Sequence, residues 1–294
     1  MTEISGVLPV DKPSGISSFD VIRRISKKIH IKKIGHSGTL DMAASGVLPL
    51  LVGEATKLFD FMLKTDKIYR AGIQFGVTTA TDDADGEVTA RSDIRIAESD
   101  LRGAIPMFVG RITQVPPKYS ALKTDGVRNY KLARRDMEVP EKPREVDVKG
   151  ITLDCFDNDT QAAVITVTCS SGTYIRAIAR DLGKTLGCGA HLASLIRLKS
   201  GGIEIARCRT IDEIDETNFR DIMIPLLEAL PHIPVLELTV PEEHLMNGKP
   251  LAEGSFTAPP VTPGVYRVVS NNRLAALVES TPIGIRYLRV FPGA

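Results

Sequence analysis

No apolar run in this 294-residue sequence approaches the length of a membrane span. The longest, such as Val47 to Val52, stop far short of the roughly 20 residues that a spanning helix needs. The opening Met1-Thr2-Glu3-Ile4 has no basic stretch followed by a long apolar one, so no secretory signal is expected. Cysteine is scarce. Cys155, Cys169, Cys188 and Cys208 are too widely spaced for a CxxC pair and read as buried thiols in a reducing cytoplasm. Net charge is only +1, which offers no overall attraction to a polyanion. The glycine-rich stretch from Gly35 to Gly46 also lacks every familiar signature. No Lys follows Gly38 or Gly46 as a P-loop requires, and the GxGxxG spacing of a dinucleotide fold is missing. Ser37, with His36 on its left and Gly38 on its right, does not complete the GxSxG of a hydrolase elbow. His36 and Asp41 have no second His or Cys nearby to complete a zinc site.

What that stretch does contain is one histidine and one carboxylate on a loop of little bulk, running straight into Val47-Leu48-Pro49-Leu50-Leu51-Val52. Glycines let other groups come close to such a loop. On its own the pattern also fits an aspartate that caps a turn. Charge is more telling in its distribution than in its sum. Arg23 to Lys33 carries six Lys/Arg and no acid, Ser170 to Arg209 carries seven against Asp181 and Glu204, and Asp212 to Glu243 carries nine acids against Arg220. Separate basic blocks suit a polyanion-binding face, and they equally suit solvated helix faces. The apolar fraction, 43 %, is enough for a real core in one large or two smaller domains.

Local patterns place these features. Gly6 to Gly15 reads as a strand entering a turn, with Ser17-Ser18 as N-cap candidates for a helix whose apolar stripe is Phe19, Ile22, Ile25 and Ile29. Lys67 to Gly76 alternates, with Tyr69, Ala71, Ile73 and Phe75 on one face of a half-buried strand. Asp82, Asp83, Asp85 and Gly86 read as a turn, because the ligand series of a calcium loop is incomplete. Ser99 to Val109 predicts a helix. Lys118 to Arg135 interleaves cations with Tyr119 and Tyr130, a mixture that suits phosphate contact and base stacking. Ala162 to Cys169 predicts a strand, and Ser170-Ser171-Gly172-Thr173 turns it into a helix stopped by Gly187. Tyr174 and Arg176 fall in the first turn of that helix, where a cation opposes the macrodipole and hints at an anionic partner. Ala190 to Leu198 forms a further apolar cluster. After Pro231, Pro234 and Pro241 come short strands at Val265 to Val269 and Arg286 to Val290, a small β module.

Five stretches in order resemble the bacterial tRNA pseudouridine-55 synthase family, the TruB-like pseudouridine synthases. They are Leu8-Pro9-Val10-Asp11-Lys12-Pro13-Ser14-Gly15, Gly35 to Asp41 (GHSGTLD), Lys67 to Gly76 (KIYRAGIQFG), Gln114 to Lys123 (QVPPKYSALK), and Cys169 to Gly183 with Gly187 to Leu192. The resemblance implies an α+β fold, with a mixed, mostly antiparallel sheet flanked by helices over 1–234. A small C-terminal β-barrel-like PUA domain over 235–294 would follow. It implies a cytoplasmic, monomeric enzyme that isomerises a uridine in the T loop of tRNA to pseudouridine, with no cofactor, metal or membrane. Asp41 would be the catalytic carboxylate. Tyr69 would stack on the flipped uracil, Arg176 would neighbour Asp41, and Tyr174 and Leu195 would wall the pocket. His36 would enter the space the base vacates. The chain departs from the family pattern at Ser37, where Thr is commoner, and at Met42-Ala43-Ala44-Ser45, where Pro-Leu-Ala-Thr is usual. Two other readings share the basic faces: an RNA-binding or RNA-folding protein without chemistry, and a synthase acting on another RNA with partner proteins.

Overall fold

A computed structural model describes residues 4–119, 123–124, 127–128 and 142–292. Most of the basic stretch from Lys118 to Arg135 lies outside these residues. The main elements run Gly6–Lys12 (β1), Ser18–Ile29 (α1), Ser45–Val52 (β2), Phe59–Leu63 (α2) and Lys67–Phe75 (β3). They continue with Glu98–Ala104 (α3), Gly110–Gln114 (β4), Arg144–Asp157 (β5), Ala162–Cys169 (β6), Ile175–Thr185 (α4) and Ala190–Ser200 (β7). Strands Val235–Glu237 (β8), Gly264–Ser270 (β9), Arg273–Thr281 (β10) and Gly284–Val290 (β11) close the chain.

The large sheet has the order Arg209–Thr210, β1, β2, β7, β3, β6, β5, β4. Only the Arg209–Thr210 contact with β1 and the β2–β7 contact are parallel; the other neighbours are antiparallel. This is the mixed, mostly antiparallel α+β architecture expected. The continuous apolar run of β2 is explained by burial on both faces. Leu48 and Leu50 meet Leu8, Val10 and the inner side of α1, while Val47 and Leu51 meet Val7, Leu58 and Met62 on the opposite face. Helix α4 lays Ile175, Ile178, Ala179 and Leu182 on the face of β3 and β6 formed by Ala71, Ile73, Ile165 and Val167.

Helix α1 starts where expected. The Ser17 hydroxyl accepts from Asp20 N, and the Asp20 carboxylate accepts from Ser17 N, a reciprocal capping box. Its buried stripe differs: Ser18, Val21, Ile25 and Ile29 face inward, and Phe19 is 70 % exposed. The reason is Ser18, whose buried hydroxyl donates to Leu40 O and accepts from Leu40 N. Seating that serine turns Phe19 outward. The predicted helix at Ser99 to Val109 is α3 followed by a tight turn, Ile105–Phe108, that contains Pro106.

The four C-terminal strands form a separate sheet in the order β8, β9, β10, β11. Strand β10, unread in the sequence, is its apolar centre, with Leu274 to Val278 all buried. One set of its side chains packs with Leu236, Tyr266 and Val268. Another, Leu274 and Leu277 with Phe291, packs against Ala55, Leu58 and Leu230 of the larger domain.

Candidate active site

Asp41 sits on the loop between strand Ile34–His36 and β2, and that loop is gripped through its backbone. The fully buried Lys12 ammonium donates to Pro13 O (2.8 Å), Met42 O (3.2 Å) and Ala44 O (2.7 Å). Ser14 Oγ donates to Ala43 O at 2.7 Å, and Gly15 N to Met42 O at 2.8 Å. From the far side comes Arg197 of β7, 1 % exposed, which donates to Val47 O, Gly38 O and Thr39 O at 2.8, 3.1 and 3.4 Å. Burying these cations is tolerated because all three protons of Lys12, and all three nitrogens of Arg197, meet a carbonyl.

The loop leaves through Gly46, whose φ of +102° favours glycine and whose added Cβ would lie 2.3 Å from Arg197 O. Gly46→Ala is therefore expected to push β2 off β7 and lower stability by at least about 2 kcal/mol. A thermal melt of the purified variant checks this, with a fall in Tm of more than about 4 °C anticipated.

Burial draws the Lys12 ammonium down to about 8, with the Asp41 charge opposing and Arg197 reinforcing the shift. Above that pH the neutral amine keeps two protons for three carbonyls, so activity should fall as pH rises through about 8. Stability should change in the opposite sense from this group. Between about 8 and the ordinary 10.5 the unfolded lysine holds more proton, so rising pH favours the fold. Lys67 is drawn to about 8 as well, again by burial. A kcat–pH profile that keeps its alkaline limb in Lys67→Met and loses it in Lys12→Met assigns the limb to Lys12.

Arg176 meets Asp41 from the first turn of α4. Its side chain is only 6 % exposed, against 52 % for Asp41, and its NH2 lies 3.0 Å from Asp41 Oδ2. NH1 lies 3.2 Å from Asp83 Oδ2. NH1 also donates to Thr81 O (3.1 Å) and NH2 to Tyr119 O (2.9 Å). Two carboxylates thus answer the cation that stood against the helix dipole. Asp41 Oδ1 receives no donor among the described residues.

Asp41, Tyr69, Tyr174, Arg176 and Leu195 line one cleft, together with Thr39 and Thr173. Tyr69 comes from β3, directly across from Arg197 of β7. Burial raises its phenol, with the Arg197 guanidinium opposing, so the ring is neutral. Tyr174 N donates to Gln114 Oε1 at 3.0 Å, and Gln114 Nε2 donates to Tyr174 O at 3.3 Å. His36 is not among the cleft-lining residues. It is half-buried, its Nδ1 accepts from Gly38 N at 3.3 Å, and burial with the Arg197 charge keeps its pKa low and the ring neutral. Among the described residues no group of three His, Cys, Asp or Glu side chains is placed to hold a metal, and no helix is long and apolar enough to cross a membrane.

Lys12, Asp83 and Arg197 were not read as site residues. Lys12 falls where the strand from Gly6 enters its turn, and Asp83 falls in the turn of Asp82, Asp83, Asp85 and Gly86. The available signal was a match in spacing: adjacent Asp82 and Asp83 against Arg176 and Arg180, which lie one helical turn apart. The basic block on α1 is also partly structural. Lys28 Nζ donates to Ile211 O at 2.7 Å, and Lys33 pairs with Glu54, whereas Arg24, Lys27 and Lys32 are exposed.

A carboxylate and guanidinium at the centre of a mixed sheet, in a cleft with aromatic walls, define a site able to receive a planar base. The fold is shared with Cbf5: a crystal structure of a Cbf5-Nop10-Gar1 complex matches with a TM-score of 0.74 at 24 % identity, covering 97 % of this chain and 84 % of that one. The TruB family pseudouridylate synthase N-terminal domain matches residues 26–175, and the tRNA pseudouridylate synthase B C-terminal domain matches residues 176–229. The chain belongs to the TruB family and is a pseudouridine synthase, an isomerase of uridine. Its relatives include tRNA pseudouridine synthase B of Thiobacillus denitrificans, 43 % identical over 80 % of this chain and 79 % of that protein. Another is tRNA pseudouridine synthase B of Clostridium kluyveri, 36 % identical over 98 % of this chain and 100 % of that protein.

Proposed function

We propose that this enzyme converts the T-loop uridine at position 55 of tRNA to pseudouridine, acting as a monomer in the cytoplasm with Asp41 as its catalytic carboxylate. The observation that carries the reading is the state of Asp41: one oxygen is held by a buried arginine, and the other takes no donor among the described residues, on a side chain half open to the cleft. The relatives named above supply tRNA as substrate class.

The reaction breaks the C–N glycosidic bond, turns the uracil and forms a C–C bond, with no net change in atoms or oxidation state. A base stacked in folded RNA must first be extruded, at a cost of a few kcal/mol. Stacking on Tyr69 would return about 1–3 kcal/mol of that, and a neutral phenol suits the contact. Leu195 would close the other side of the base, with Tyr174 beside it. His36, neutral and not part of the cleft lining, would stand where the extruded base leaves a gap. Asp41 would act through its free oxygen, by attack on the sugar or base or by taking a proton from the sugar. Arg176 would keep it ionised and aimed. Exposed Arg24, Lys27 and Lys32 would meet phosphates. The C-terminal sheet, taken as a PUA-like domain over 235–294, would hold the tRNA away from the chemistry.

Incubating the pure protein alone with unmodified tRNA and mapping pseudouridine chemically tests this. Product at the T-loop uridine is expected. Product confined to another site, or none without added proteins, would overturn the assignment.

A further inference from the structure

Arg180 lies one turn beyond Arg176 on α4 and reaches two segments at once. Its NH1 is 3.0 Å from Asp82 Oδ2, on the turn between strands Val77–Thr79 and Val88–Arg91. Its NH2 donates to Val115 O at 2.9 Å, at the root of the segment that follows β4. Asp181 holds the same guanidinium from behind, through Nε at 2.9 Å. These two segments carry three of the four acceptors of Arg176: Thr81 O and Asp83 on the turn, and Tyr119 O beyond Val115. The fourth is Asp41.

The turn itself is under strain that the pair would hold. Asp82 has a φ of +61°, a left-handed conformation that side chains disfavour. Its carboxylate is largely buried, with 17 % of the side chain exposed. On its other side the turn is stitched to β7: Leu192 N donates to Asp82 O and Ala84 N to Leu192 O, each at 3.0 Å. That stitch lies beside the break in β7 pairing between Leu192 and Ser194, just before the cleft residue Leu195.

We propose that Arg180 and Asp82 are positioning residues for the isomerisation: their ion pair locks the turn and the Val115–Tyr119 segment together, and so fixes the guanidinium of Arg176 against Asp41. Neither residue lines the cleft with Asp41, so neither acts on the base. The inference rests on the role proposed above for Arg176 and Asp41. Without Arg180, the largely buried Asp82 carboxylate has no arginine fork, and the acceptors of Arg176 can drift apart. Arg176 then samples orientations that leave Asp41 unpaired. The loss falls on the chemical step rather than on RNA capture.

The test is single-turnover kinetics on unmodified tRNA, with RNA affinity and thermal melts measured alongside. Wild-type activity and its loss in Asp41→Asn establish the parent reading independently. Arg180→Met and Asp82→Asn are each expected to slow the chemical step about tenfold or more while RNA affinity changes less than about threefold. Arg180→Lys, which keeps charge but not the fork, should recover part of the rate. In an Asp83→Asn background the Arg180→Met effect should shrink, because both changes act through Arg176. A merely structural role would lower Tm additively and leave the rate per folded enzyme intact. If Arg180→Met does not fold, Asp82→Asn carries the test. A wild-type single-turnover rate in a folded Arg180→Met or Asp82→Asn variant, or full additivity with Asp83→Asn, overturns the proposal.

Discussion

Asp41→Asn should abolish pseudouridine formation, with a loss of at least about 10⁴-fold in single-turnover rate, while tRNA affinity changes by less than about threefold. The two amino acids have the same shape, and the loop around them is anchored by Lys12, Ser14 and Arg197 through main-chain carbonyls, so the fold is indifferent to the change. What disappears is the charge and the capacity of the second oxygen to attack or to accept a proton. The buried Arg176 still faces Asp83 when Asp41 is neutralised, so no buried cation is stranded. Filter binding or fluorescence anisotropy measures the affinity, and chemical mapping the product. Substantial product from the variant would remove Asp41 from the mechanism.

Arg176→Lys is the second large effect, about 10²–10³-fold on the chemical step. An ammonium retains the charge but not the planar fork, and here the fork is used on both sides. NH2 takes Asp41 and Tyr119 O, while NH1 takes Asp83 and Thr81 O. A lysine can face one carboxylate or the other. Its expected signature is a depressed rate with near-normal RNA binding and a modest fall in Tm. Arg176→Met should be worse in stability too, because Asp83, with 14 % of its side chain exposed, would lose its cation. Equal rates for Arg176→Lys and the wild type would show that charge alone suffices.

The sheet was readable because its strands carry strong local signals. Lys67 to Gly76 alternates along its length and Ala162 to Cys169 is rich in β-branched residues, and they form β3 and β6 at almost the expected bounds. The face of α1 was misjudged by one step in its first turn, because periodicity favours the larger side chain. The competing fact, a buried serine bonded to Leu40, is tertiary. Strand β10 escaped notice because Leu274-Ala275-Ala276-Leu277-Val278 is a short apolar run with no alternation, as a strand buried on both faces shows. At the site, Asp41, Tyr69, Tyr174, Arg176 and Leu195 were named from motifs, and they share one cleft. Their supports were not named. Lys12 and Arg197 act on backbone atoms of distant segments, and nothing in a one-dimensional pattern distinguishes such a lysine from one at a turn.

The way the Asp41 loop is held has a consequence for how its sequence can drift. The partners of Lys12, Ser14, Gly15 and Arg197 there are peptide groups, which every residue type supplies alike. Side-chain spelling at Met42, Ala43 and Ser45 is thereby uncoupled from the path of the chain, while the buried Ala44 is common to both wordings. The unusual Met-Ala-Ala-Ser run can present the same aspartate as a proline-containing one, and a graft of the commoner wording should be silent in rate.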